Sequence, residues 1–122
     1  MAAKDELGRA GEQRAAAHLR ALGFDVLDRN WRSPAGEVDV VARHGERIVF
    51  VEVKTRRSDG FGDPLEAVDA RKRARLWQLA NAWCAQHPDL ARGRPRRLDV
   101  IGITGPDPAT GRLEHLEDVP WV

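Results

Sequence analysis

Cysteine is almost missing from this chain: Cys84 is the only one in 122 residues. A lone cysteine excludes a disulfide framework and a cysteine-based zinc site. Lysine is nearly as scarce, because Lys4, Lys54 and Lys72 are the only lysines among 20 basic residues. In so arginine-rich a chain, lysine at position 54 hints at a role that a planar guanidinium cannot fill. Net charge is lacking too, at +1, so the overall balance does not announce a nucleic-acid binder and the distribution of charge has to be read instead. No apolar run approaches the roughly 18 residues of a membrane span, and no signal-peptide pattern occurs. These absences lead us to expect a soluble cytoplasmic protein with no membrane partner. Repeats, low-complexity tracts and linkers are missing as well. With 42% apolar and 32% charged residues, the expectation is one globular domain over residues 1–122.

What the sequence does have is an organising stretch from Gly36 to Thr55, GEVDVVARHGERIVFVEVKT. Two Val- and Ile-rich runs flank His44-Gly45, a dipeptide suited to a tight turn, so the segment reads as a β-hairpin. A two-residue turn there sets Arg43 opposite Glu46, Asp39 opposite Phe50 and Glu37 opposite Glu52. Opposed residues share a face, and faces alternate along each strand. One face then carries Val38, Val40, Ala42, Val49, Val51 and Val53. The other begins with Val41, Ile48 and Phe50 and ends in Asp39, Glu37, Glu52 and Lys54. Both faces begin apolar, which predicts a sheet covered by helices on each side. Acids and a lysine at the end of such a ribbon are unfavourable unless they are paired or bind something. The inference depends on the turn, since a one-residue slip would separate Asp39 from Glu52.

Residues 4–22 have helical spacing, with a stripe of Leu7, Gly11, Ala15, His18, Leu19 and Leu22, and Gly23 as the stop. Glu12 falls on the margin of that stripe, and His18 reads as a histidine flanking the core. Residues 24–31 read as a first strand, and Ser33-Pro34-Ala35-Gly36 as the turn into the hairpin. The segment after Thr55 contains Gly, Pro and the adjacent pair Arg56 and Arg57, a loop placed for substrate contacts. A second helix spans 70–87 with Asp69 as N-cap. Its apolar stripe is Leu76, Leu79, Ala80 and Trp83, widened by Trp77 and Cys84. Arg71, Lys72, Arg73 and Arg75 crowd its first turns, either as a solvated basic face or as a phosphate-binding surface aided by helix N–H groups. Arg92, Arg94, Arg96 and Arg97 make a second basic patch, followed by a strand at 97–104 and a short one at 113–119. The order α-β-β-β-α-β-(β) predicts an α/β domain with a mixed sheet flanked by helices.

Asp39, Glu52 and Glu12 offer hard oxygen ligands and no soft ones, a set that suits Mg²⁺ or Mn²⁺. In the assumed register Asp39 and Glu52 are diagonal neighbours, roughly 7–8 Å apart at the backbone. A shared ion there would polarise a phosphoryl oxygen and acidify a water. Lys54, on the same face, is positioned to orient that water or to stabilise charge on the phosphate. Arginines 56 and 57 and the start of the second helix would hold a polyanionic strand. An E-V-K triplet alone is weak, because such triplets are common at solvated strand ends. The combination with Asp39, Glu12 and the flanking arginines favours the metal site.

These motifs together, Gly11-Glu12, Asn30-Trp31, Gly36-Glu37-Val38-Asp39, Val49 to Arg56, the Lys72 region and Arg97-Leu98-Asp99-Val100, resemble the YraN-type family of bacterial inferred endonucleases. The resemblance runs from about residue 8 to about residue 103. It implies a restriction-endonuclease-like fold of the PD-(D/E)xK superfamily, similar to archaeal Holliday-junction resolvases. It also implies Glu12, Asp39 and Glu52 as metal-site acids and Lys54 as the catalytic lysine. The superfamily's Pro, which takes no part in the chemistry, is replaced here by Val38, so its absence does not remove the expected activity. The resulting expectation is a Mg²⁺-dependent endonuclease acting on DNA, branched or otherwise structured, as a homodimer. Its rivals are a non-catalytic nucleic-acid-binding module on the same fold and an RNA nuclease or exonuclease using the same site.

Overall fold

The computed structural model describes residues 5–58, 60 and 62–122. Helix α1 (Glu6–Ala21) starts where the Asp5 carboxylate accepts the Gly8 N–H at 2.8 Å and stops at Gly23, whose φ of 89° suits glycine. The expected start at Lys4 lies outside the described residues. Strands β1 (Asp25–Ser33), β2 (Gly36–His44) and β3 (Arg47–Arg56) follow in sequence. A 3₁₀ turn over Pro64–Ala67 then leads to helix α2 (Ala70–Gln86), the short helix α3 (Pro88–Ala91) and strands β4 (Arg96–Thr104) and β5 (Arg112–Val119). Asp69 caps α2 as expected, accepting the Lys72 N–H at 2.9 Å. The predicted order holds, and α3 is added to it.

The sheet runs β1-β2-β3-β4-β5, antiparallel throughout except for the parallel pair β3–β4. Helix α2 lies in the crossover that this parallel pair requires. Helix α1 covers one face, where Ala15 and Leu19 pack on Val40, Val49, Val51 and Ile101. Leu76, Leu79 and Trp83 of α2 cover the other, against Val41, Phe50 and Val100. The result is a helix–sheet–helix sandwich of the restriction-endonuclease-like type. Two positions of the expected helix stripes are wet instead: Leu22 is 50% exposed, just beyond the last turn of α1, and Trp77 is 40% exposed on the flank of α2.

The hairpin register corrects the sequence reading. His44 pairs with Arg47 and Val41 with Phe50, so the turn is Gly45-Glu46, one residue later than expected. Gly45 takes φ 60°, which glycine adopts without strain. The partner of each residue shifts by two, and a shift of two leaves every β3 residue on its expected face. Carried one pair further, this register would set Asp39 level with Glu52 instead of diagonal to it.

Beyond Val40↔Val51 the β2–β3 ladder stops. From there β2 stays with β1, through Trp31↔Val38, while β3 stays with β4, through Lys54↔Gly102. The two central strands part. Asn30, between the paired residues Arg29 and Trp31, takes φ 53° beside this parting, a conformation asparagine tolerates better than most residues. The parting also corrects the assignment of Val38, which turns to the α2 side and packs with Val41 and Leu79 rather than with Val40. On the opposite face, α1 comes so close to β3 that a Cβ on Gly11 would lie 1.9 Å from Thr55 Oγ1. Glycine at this position allows the approach that brings Glu12 to the fork.

Candidate metal centre

The parting of β2 and β3 opens a cavity of about 410 Å³, lined by Glu12, Glu37, Asp39, Glu52, Lys54 and Lys72 among others. The four acids arrive from three elements: Glu12 from α1, Glu37 and Asp39 from the end of β2 that has parted from β3, and Glu52 from β3. Three of them are nearly out of solvent: Glu12 is 3% exposed, Asp39 7% and Glu52 7%. One ligand atom from each of Glu12, Glu37 and Asp39 lies within 4.8 Å of the others. Carboxylates so buried and so close repel one another unless cations or donors intervene.

The surroundings supply part of that compensation. Asp39 Oδ2 accepts the Val53 N–H at 2.8 Å, so the side chain satisfies a backbone donor where the strand ladder has ended. Arg32 Nε lies 3.1 Å from Glu37 Oε2. Lys72 Nζ lies 2.6 Å from Glu52 Oε2. Glu52 lies outside the close trio, although it lines the same cavity. All of the donors are carboxylate oxygens, which fits a hard divalent ion such as Mg²⁺ or Mn²⁺ and offers nothing to a soft one.

Of the residues expected at the site, Glu12, Asp39, Glu52 and Lys54 meet at this one cavity. Glu37, seen in the sequence among the acids but not counted as a ligand, joins Glu12 and Asp39 more closely than Glu52 does. Lys54 and Arg75 line the cavity and are exposed, and Arg57 and Arg71 are exposed outside its lining. Lys72 pairs with Glu52 while its side chain stays partly exposed. Arg56 departs from its expected place at the surface. It is 7% exposed, and its guanidinium donates to the carbonyls of Gly62 and Asp63, tying down the chain that leads to the 3₁₀ turn. Its side chain holds this loop together rather than presenting charge to a ligand.

Arg97 likewise leaves the second basic patch. It forms a two-pronged pair with Asp99, Nε to Oδ1 and Nη2 to Oδ2, both at 2.9 Å. Asp99, with no solvent exposure, also accepts from His115 Nε2 at 2.7 Å and from the Asp118 N–H at 3.0 Å. His115 Nδ1 in turn lies 3.0 Å from His18 Nε2. Burial pushes the Asp99 carboxyl up, but the bonds from His115, Arg97 and Asp118 outweigh it and hold the group below its ordinary value. Burial, together with His115 and Arg14, lowers His18. Asp99, His115 and Glu117 also offer ligand atoms within 4.8 Å of one another. Arginine already occupies both Asp99 oxygens there, so this is an internal tie between β4, β5 and α1 rather than a second metal centre.

Comparison with known proteins gives a consistent result. The family model described as "Uncharacterised protein family UPF0102" matches residues 11–103. A UPF0102 protein of Acidothermus cellulolyticus is 57% identical over 128 aligned residues, covering 98% of this chain and 90% of the relative. Those of Paenarthrobacter aurescens and Beutenbergia cavernae are each 50% identical over 119 residues, covering 98% of this chain and 97% and 99% of theirs. No helix among the described residues is long and apolar enough to cross a membrane.

Proposed function

Because the chain belongs to family UPF0102, the YraN-type family, whose description carries no activity, we propose from the site itself that it is a metal-dependent nuclease hydrolysing phosphodiesters of DNA. The observation that carries this reading is the convergence of Glu12, Glu37 and Asp39 within 4.8 Å, in a cavity that Glu52 and Lys54 also line. Close-set buried carboxylates are unfavourable in a purely structural role, whereas one or two of them with water suffice to hold a divalent cation. Glu12, Asp39 and Glu52 would hold that cation. Once bound, Mg²⁺ or Mn²⁺ would supply Lewis-acid polarisation of the phosphoryl group and a water of lowered pKa.

The chain's own residues do the rest. Asp39, fixed by the Val53 N–H, presents a carboxylate that is already oriented. Lys54 extends an ammonium from the same cavity, suited to holding the attacking water and to countering charge that builds on the phosphate. Arg75 at the opening, with the exposed Arg57 and Arg71, would hold the polyanionic backbone. Branched or structured DNA is the substrate we favour, because exposed Lys and Arg side chains contact phosphates and carry no base readout of their own. Pairing of two chains on such a substrate forms part of the same proposal.

A panel of duplex, single-stranded, flap and four-way-junction DNA and of RNA, with and without Mg²⁺ or Mn²⁺, tests the reading. We expect metal-dependent cleavage of DNA, lost in Lys54→Ala while circular dichroism is unchanged. Full activity in that variant would remove the assigned site. One observation favours the rival, a non-catalytic nucleic-acid-binding module: the Lys72–Glu52 pair neutralises Glu52 without a metal. That rival predicts salt-sensitive binding indifferent to Mg²⁺ and cleavage of nothing in the panel.

A further inference from the structure

Lys72 engages one of the candidate ligands directly. Its Nζ lies 2.6 Å from Glu52 Oε2, with the lysine side chain 39% exposed and the glutamate side chain 9% exposed. A buried carboxylate needs a cation, and this one takes it from α2. The backbone of Lys72 is fixed, because its N–H is held by the Asp69 cap at 2.9 Å. Its side chain is not fixed in the same way: a four-carbon stem ending in a compact charge can change partner without moving the helix. Beside it, Arg75 is exposed at the mouth of the same cavity.

We propose that Lys72 is a resident counter-ion that competes with the divalent cation for Glu52 and leaves that carboxylate when the cation loads. This deepens the proposed function and rests on it. An ammonium and a divalent ion cannot share one carboxylate without strong mutual repulsion, so each lowers the other's occupancy. The displaced ammonium remains at the cavity mouth beside Arg75, where a phosphate can take it. Lys72 is a positioning residue in this scheme: it acts through Glu52.

Titration of the full chain with Mn²⁺ alone, by calorimetry, tests the competition. Lys72→Met should bind Mn²⁺ at least about fivefold more tightly than the wild type, the low end of coupling between two sites. Lys72→Gln, titrated beside it, should do the same, so the test does not depend on one variant folding. Lys72→Arg keeps the cation and should bind no more tightly than the wild type. A purely structural lysine gives the opposite result, because damage to the site loosens metal. Equal or weaker binding in both Lys72→Met and Lys72→Gln would overturn the counter-ion role, and if the wild type still cleaves DNA the nuclease reading survives it. Tighter binding in a chain that cleaves nothing would uphold the competition and remove the nuclease reading. If no chain binds Mn²⁺, both fall.

Discussion

The carboxylate of Asp39 accepts the Val53 N–H at 2.8 Å, so a substitution there acts on the fold as well as on the chemistry. Removing the acceptor leaves a buried backbone donor unpaired, which costs about 1–3 kcal/mol. Asp39→Ala should therefore lower unfolding stability by about that amount and abolish cleavage. Asp39→Asn keeps an acceptor oxygen but loses the charge. It should keep most of the stability while losing metal binding, as urea unfolding and Mn²⁺ titration on the same samples would show. An Asp39→Asn chain that still binds Mn²⁺ like the wild type would remove Asp39 from the site. Period-two alternation puts Asp39, Glu52 and Lys54 on one face in the sequence, and they do line one cavity. The ladder ends before Asp39, however, which bonds to the Val53 N–H beside Glu12 of α1, while Glu52 pairs with Lys72 of α2. Arg56 is not legible. Its spacing in a Gly- and Pro-containing segment resembles that of Arg57, yet one is buried on the carbonyls of Gly62 and Asp63 and the other is exposed. Only the path of the loop decides between them.

Helices and strands dock through contacts that differ widely in how far they reach along the chain. Caps are local, and Asp69 can be recognised from its own neighbourhood. The tie from Asp99 through His115 to His18 joins residues 97 positions apart, and no spacing rule announces it. That tie makes the docking of α1 and β5 sensitive to acid. The folded chain holds His18 below the ordinary histidine value of 6.5, mainly by burial. Below that pH the unfolded chain takes up a proton that the folded one resists, so stability present above 6.5 is lost as pH falls through the lowered folded value. Asp99 adds a second loss of the same sign at lower pH. Its folded value lies under the ordinary 3.8, and the stability it contributes above 3.8 disappears as pH drops through that lowered value. Urea unfolding at a series of pH values should show the first decline beginning below 6.5, and His18→Asn should flatten it. A His18→Asn curve as steep as the wild type would assign the decline to other groups. The hairpin turn lies one residue from its expected place for a related reason. Gly45 can serve either His44-Gly45 or Gly45-Glu46, and the packing of the sandwich selects the second.

Across the whole molecule, a net charge of +1 conceals a marked separation. Acids gather inside the fork with Arg75 at its opening and Arg71 exposed in the first turn of α2, while Arg92 and Arg94 lie near the far end of α2. The 17 residues of α2 span about 25 Å, so the two basic regions are separated by more than a Debye length at physiological salt. Binding of DNA should weaken steeply with added salt, and Arg71→Ala and Arg75→Ala should each reduce the slope of log K against log [salt] by about one. Fluorescence anisotropy with a labelled duplex in Ca²⁺ would measure it. A slope unchanged by both substitutions would move the binding surface elsewhere. The fold class is legible from the alternation of helical and strand patterns along the chain. The fork is not, because two strands that pair near their turn give no sign in sequence of where they separate.

That separation bears on how relatives of this chain should be judged. Position 39 serves as mortar for the sheet, filling the gap left when the ladder ends, and a lineage that had abandoned hydrolysis would still be under pressure to keep a hydrogen-bond acceptor there. An aspartate surviving at this position is therefore poor testimony that an enzyme is alive. Glu12 and Glu52 fill no such gap in the ladder, since they project from a helix and from a strand still laddered to its other neighbour, although Glu52 is also tied to Lys72. A sequence that had lost both while keeping Asp39 should be treated as a scaffold before it is assayed as a catalyst.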